Sequence, residues 1–251
     1  MKSINNIPIL ITSAVKAVAP YAINNQQFRI LHTVNALKRL RILAPSNPIV
    51  ICDGSGFNFS EILSYDFQLK SVEVLSFTND LNAVRMRGKG YGEGEIVNYA
   101  LKTSDLLKNA DAFAKCTSKL WPDNFQSIMK QWKGGVLFDG VFSGLSDAPF
   151  FRLTQVHTKF YVCEKALFGE TLSLAYGNVD DINGIYLEHA YLSELSARGV
   201  ENYISPTPFI INGYSGTDGK FQILGKKEYY KERIKRKIMS CTSSGRQLLY
   251  R

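Results

Sequence analysis

An unbroken apolar run, Ile7 to Thr12, is followed by an amphipathic stretch from about Gln26 to Ile42 and then by a second apolar run, Ile49 to Cys52. Short continuous runs of this kind are strands buried on both faces. In the stretch between them Phe28, Leu31, Val34, Leu37 and Leu40 recur near helical spacing, while Arg29, Lys38, Arg39 and Arg41 face elsewhere. Ala44-Pro45-Ser46-Asn47-Pro48 ends the helix. Strand, helix, strand in that order implies a parallel pair joined by a right-handed crossover. Such sheets take their ligands at the carboxyl ends of the strands. Thr12-Ser13 and Asp53-Gly54 therefore mark a candidate nucleotide pocket.

Beyond this unit the pattern predicts a strand at Val72 to Phe77 and a glycine-rich loop from Arg87 to Glu95. A helix from about Glu95 to Leu107 and strands at Phe113 to Leu120 and Val136 to Phe142 come next. Phe150 to Val162 reads as one or two strands, Glu164 to Tyr176 and Gly184 to Ala197 as helices. Residues 206–219 read as a loop, and a basic helix starts at Glu228. No internal repeat or low-complexity segment interrupts the series. The chain of 251 residues is long enough for one large α/β domain, alone or with a small appendage.

Charge narrows the partners. The formal net charge is +8, and many of the cations lie in Lys226 to Arg251, including Lys231, Arg233, Lys235, Arg236 and Lys237. A phosphorylated substrate, an anionic membrane surface or nucleic acid would each suit it. No nucleic-acid-binding module is present, so nucleic acid is not expected. Cys52, Cys116, Cys163 and Cys241 form no CxxC pair, and the histidines are His32, His157 and His189. A zinc site has little to build on. Reduced thiols, the absence of a signal-peptide pattern and the absence of a long apolar segment point to a cytoplasmic protein.

Several residues could carry chemistry. Gly88, Gly90, Gly92 and Gly94 would let the backbone approach a phosphate, next to Arg85, Arg87 and Lys89; the same glycines would also suit a plain surface turn. Asp53 could accept from a ribose hydroxyl or a base N–H, or serve as the turn-former of Asp-Gly. Lys115, Thr117 and Lys119 fall on one face of a strand by period two, where two lysines could stabilise a diphosphate leaving group, or where the strand is a solvated edge. Asp181 and Glu188, seven apart, share a face if one helix covers both, and either could act as a general base; Asp181 could instead be its N-cap.

Taken in order, these motifs resemble the bacterial glycosyltransferases of lipopolysaccharide and capsule clusters. The pieces are Phe28-Arg29 with Thr33, the Ile49 to Asp53 strand and Gly88-Lys89-Gly90-Tyr91-Gly92-Glu93. Lys115 to Lys119 with Asn124-Phe125, Asp181…Gly184…Leu187-Glu188 and Ser215-Gly216 complete the set. The resemblance implies an α/β, GT-A-like (Rossmann-related) fold, a mostly parallel sheet flanked by helices over residues 1–225, with a basic C-terminal helix or tail over 226–251. It implies a hexosyltransferase-type enzyme moving sugar from a UDP-, GDP- or CMP-linked donor to a hydroxyl of a glycan or glycolipid acceptor, with the tail on the inner face of the inner membrane. Thr12, Ser13, Arg29, Asp53, Lys89, Gly90, Tyr91 and Glu93 would hold the donor, with Glu188 as base and Asp181 as second carboxylate. Such enzymes commonly hold a divalent metal with Asp-x-Asp. This sequence contains no Asp-x-Asp, so the metal is in doubt and Lys115 and Lys119 would supply the positive charge. Another nucleotide-dependent transferase, or a basic nucleic-acid-binding module, would be the alternative.

Overall fold

The computed structural model describes residues 6–19, 25–66, 69, 71–144, 151–216 and 219–250. In chain order the elements begin with β1 (Ile9–Ser13), α1 (Gln26–Leu43), β2 (Ile49–Asp53), α2 (Ser60–Ser64), β3 (Glu73–Ser76), α3 (Leu81–Arg87), α4 (Lys89–Thr103) and α5 (Asp105–Lys108). They continue with β4 (Ala112–Thr117), β5 (Leu120–Pro122), α6 (Phe125–Gln131), β6 (Val136–Phe142), β7 (Leu153–Glu164) and α7 (Lys165–Leu167). Last come α8 (Leu187–Ala197), β8 (Ile211–Tyr214), β9 (Phe221–Gln222), α9 (Lys226–Met239) and α10 (Ser243–Leu248).

β1 and β2 pair in parallel from Ile9↔Ile49 to Ser13↔Asp53, as the opening unit requires. The large sheet runs β3-β2-β1-β4-β7-β6. Only β7 opposes the other strands. This is an α/β fold with a mostly parallel sheet flanked by helices. Strand alternation feeds two cores. Leu10, Val50, Cys52 and Phe113 face the layer containing α4 and α8; Ile9, Ile11, Ile49, Ile51 and Ala114 face the layer containing α1 and α6.

Several elements depart from the sequence expectation. The glycine-rich segment is not a loop but the start of α4, opened by Gly88 at φ 104°. A Cβ at Gly94 would overlap Tyr176, one at Gly92 would lie 2.6 Å from Asn79 Nδ2, and one at Gly90 would lie 3.0 Å from Leu187 Cβ. These glycines permit close packing around a helix rather than flexibility. That helix ends at Thr103 because Ser104 caps α5 through Leu107 N–H. The strand expected over 113–120 turns at Ser118-Lys119, where Lys119 takes φ 70°. The helix expected over 164–176 is broken into α7, a π-turn at Phe168–Leu172 and a 3-10 turn at Ala175–Asn178. Part of the loop expected over 206–219 is β8, which joins β5 and β9 in a three-stranded sheet. The strand start expected at Phe150 lies outside the described residues.

The basic C-terminal segment is seated on the body. Arg236, only 2% exposed, pairs with Asp139 on β6 and donates to Ser205 O (3.2 Å), Gly140 O (3.2 Å) and the Glu232 carboxylate (3.2 Å). Lys235 is buried against Glu232 at 2.7 Å. Tyr250 N–H bonds Ile204 O at 2.7 Å. Two cations of the dense run are thus spent inside the protein, because a charge out of water must be paired. Arg236→Ala leaves Asp139 buried and uncompensated, which should cost about 3–5 kcal/mol. Urea unfolding checks this; a loss under about 1 kcal/mol would mean that the pair lies outside the cooperative fold.

Candidate functional site

A cleft of about 250 Å³ opens at the carboxyl ends of β1, β2 and β4. Thr12 and Ser13 end β1 on its wall; Arg29 comes from the first turn of α1, Lys89 and Glu93 from α4, Lys119 from the β4–β5 turn and Glu188 from α8. These seven expected residues meet at one place although they span most of the chain. Asp53, Gly90, Tyr91, Lys115 and Asp181 were expected there too, and they do not line the cleft.

Each of those five has other work. Asp53 is fully buried and accepts from Val15 N (2.9 Å), Ser55 N (2.8 Å), Ser55 Oγ (2.5 Å) and Phe57 N (3.2 Å). It fixes the loops after β1 and β2. Asp181 lies in a 3-10 turn outside α8 and accepts from Lys89 N at 3.0 Å. It therefore caps α4, not α8, and shares no helix face with Glu188. Burial raises its pKa against the pull of that N–H. Gly90 packs on Leu187, and Tyr91 meets Tyr176 edge to face at 5.0 Å.

Lys115 is the link between the cleft's carboxylates. It is fully buried on β4, a central strand rather than an edge. Its Nζ donates to the Glu93 carboxylate, to Thr117 Oγ1 (2.8 Å) and to Thr158 O (2.7 Å). An ammonium has three N–H donors, so Lys115 is saturated. Thr158 Oγ1 in turn donates to Glu188 Oε1 at 2.8 Å. One chain of contacts, Glu93–Lys115–Thr158–Glu188, holds both cleft carboxylates. Thr158 reaches this position through a bulge: β6 pairs Phe138 with Tyr161 and then Asp139 with His157, leaving Thr158, Lys159 and Phe160 unmatched. Bulges re-aim side chains in this way.

The floor is cationic. Arg29 is buried and donates to Ala14 O (2.9 Å) and Gly216 O (3.2 Å); burial lowers its pKa while Asp53 opposes the shift. Lys119 is 4% exposed, and its Nζ bonds only Ser118 Oγ, at 3.1 Å, among the described residues. Burial, with Arg29 beside it, brings its pKa down from 10.5 to about 7. Among the described residues no group of three or more His, Cys, Asp or Glu is placed to hold a metal. Burial pushes the Cys52 and Cys116 thiols up to about 12, so neither is an available nucleophile.

The sequence reading missed Lys159, Gln222, Asn79 and Lys16 on the cleft wall. Lys159 was hidden by the bulge and Gln222 by the second sheet, neither of which has a local signature. Lys16 and Asn79 lie just past β1 and β3, so the same carboxyl-end rule that marked Thr12 and Asp53 could have found them.

No family model and no curated protein matches the chain. Distant solved structures resemble it. A nucleotide-diphospho-sugar transferase from Desulfovibrio desulfuricans is 11% identical over 78% of each chain, with a TM-score of 0.47. The galactosyltransferase LgtC is 7% identical over 75% of this chain and 70% of its own, at 0.48. The inositol-1-phosphate CTP transferase of T. maritima is 11% identical over 95% and 98%, also at 0.48. The likeness is too remote to assign chemistry, which has to come from the cleft.

The depressed Lys119 pKa has a defined sign. Between about pH 7 and 10.5 the unfolded chain holds a proton that the folded one has released, so stability rises with pH across that window. The cost of burying the ammonium is fully present below pH 7 and is relieved above it. Lys119→Met should therefore stabilise the protein most at and below pH 7, with the gain shrinking toward pH 10. Melting curves of both proteins from pH 6 to 10 test this; a constant difference would mean that Lys119 titrates normally.

Proposed function

We propose that the cleft binds the diphosphate of a nucleotide sugar and that the protein is a glycosyltransferase. The observation that carries this is Lys119: a buried lysine that bonds only Ser118 among the described residues, beside the Arg29 guanidinium, at the carboxyl end of a parallel sheet. Such a group recovers its desolvation cost when an anion reaches it. Thr12 and Ser13 stand where the nucleoside would enter.

Glu188 is the proposed base. Its Oε1 is fixed by the neutral Thr158 hydroxyl, whereas Glu93 spends an oxygen on the Lys115 ammonium. That ion pair occupies Glu93, and Glu188 is the cleft carboxylate left facing an acceptor hydroxyl. Glu188 takes the proton of the acceptor hydroxyl, whose oxygen forms a bond to the anomeric carbon. The bond from that carbon to the diphosphate oxygen breaks, and its electron pair leaves with the nucleoside diphosphate. Arg29 and Lys119 stabilise the departing charge, a role a divalent cation fills elsewhere. The motif resemblance favours a lipopolysaccharide or capsule glycan as acceptor. The exposed Lys226, Lys227, Arg233 and Lys237 of α9 favour contact with an anionic membrane surface. Among the described residues no helix is long and apolar enough to cross a membrane.

Two variants separate binding from chemistry. Glu188→Gln should keep donor affinity within about twofold and lower kcat by about 10²–10⁴. Lys119→Met should weaken the donor by about tenfold or more despite its higher melting temperature. Calorimetry and donor turnover with UDP-, GDP- and CMP-sugars measure both. Binding of a nucleoside triphosphate with release of pyrophosphate would move the assignment to nucleotidyl transfer.

A further inference from the structure

Lys159 has no part in that scheme, yet it lines the same cleft. It lies in the β7 bulge next to Thr158, so the distortion that fixes Glu188 also turns Lys159 over the cavity. Its Nζ crosses to Gln222 Oε1 on β9 at 3.0 Å, and this neutral amide is its one hydrogen-bond partner among the described residues. Burial lowers its pKa, with the nearby Glu188 charge opposing and Lys89 adding to the shift. Among the described residues the cleft wall carries the cations Lys16, Arg29, Lys89, Lys119 and Lys159 and the carboxylates Glu93 and Glu188. Glu93 is already matched by Lys115.

Arg29 and Lys119 gather at Gly216, where a Cβ would stand 3.8 Å from Lys119 Nζ and 4.0 Å from Arg29 Nη2. They are enough for a diphosphate. Lys159 and Lys89 belong instead to the end of the cleft that holds Glu188. A neutral sugar hydroxyl gives a half-buried ammonium no charge to meet. An acidic one does, and a charge-assisted hydrogen bond is about twice as strong as a neutral one.

We propose that the acceptor is anionic: Lys159, held by Gln222, binds a carboxylate or phosphate on the sugar whose hydroxyl faces Glu188. This rests on the nucleotide-sugar reading above. It makes Lys159 a specificity determinant for sugar acids or phosphorylated sugars. Selection against neutral acceptors follows, because an ammonium left without its anion loses more than the contact is worth.

The test uses the full chain saturated with whichever nucleoside diphosphate stabilises it. Methyl β-D-glucoside, methyl β-D-glucuronide and glucose 6-phosphate are then titrated by NMR. The expected result is tighter binding of one or both charged sugars by about tenfold over the neutral one. The glucuronide and the phosphate tell the two anion sources apart. Lys159→Gln should abolish the preference and Lys159→Arg should keep it, with nucleotide affinity unchanged in both. Equal or absent responses to the charged sugars overturn the proposal. So does a loss of nucleotide affinity in Lys159→Gln, which would place this lysine on the donor. If no nucleotide binds the unaltered chain, the function reading itself fails, and that arm is read separately.

Discussion

The site depends on one buried ammonium. Lys115 stands on a central strand with no exposure and satisfies all three donors on three different elements: Glu93 of α4, Thr117 of β4 and Thr158 of the β7 bulge. Removing a charge from water at this depth costs several kcal/mol, and only full pairing offsets it. The arrangement is consequently all or nothing. With Lys115 in place, Glu93 is anchored, the bulge is pinned and Thr158 presents its hydroxyl to Glu188. Without it, both carboxylates and the bulge lose their common fixed point.

Around that point the charges fall into layers. Asp53, buried behind the floor, orders the loops after β1 and β2 with four accepted hydrogen bonds and draws on Arg29 at longer range. Arg29 and Lys119 form the floor, and Glu188 and Lys159 the far wall. Behind the sheet's β6 edge, Arg236 and Asp139 tie α9 to the body. Among the described residues Lys119 bonds only Ser118 and Lys159 only Gln222, both neutral, and holding such ammoniums out of water is a cost that the fold carries. Its natural explanation is a ligand that arrives carrying the missing negative charge.

Much of this was legible in the sequence. The opening strand–helix–strand unit identified the parallel sheet and, through the carboxyl-end rule, the location of the cleft. Thr12, Ser13, Arg29, Lys89, Glu93, Lys119 and Glu188 all reach it. What escaped were properties that depend on contacts distant in sequence. Alternation placed Lys115 and Lys119 together on one strand, but the left-handed turn at Lys119 separates them into an anchor and a floor residue. The glycine run suggested a phosphate loop, whereas Asn79, Tyr176 and Leu187 press against it from three sides. Apolar spacing on α1 put Leu31 inside, yet it is 56% exposed while Arg29 and Thr33 share the buried stripe with Leu37 and Leu40. The bulge that presents Thr158 and Lys159 leaves no mark in the local pattern.

The central claim, that Arg29 and Lys119 form a diphosphate seat, is tested most directly by phosphorus NMR of UDP-, GDP- and CMP-linked sugars titrated with the protein. The account predicts that one of the two diphosphate donors shows both phosphorus resonances shifting or broadening, and that Lys119→Met abolishes the effect. Spectra of all three donors unchanged at saturating protein, or a response identical in Lys119→Met, would contradict it.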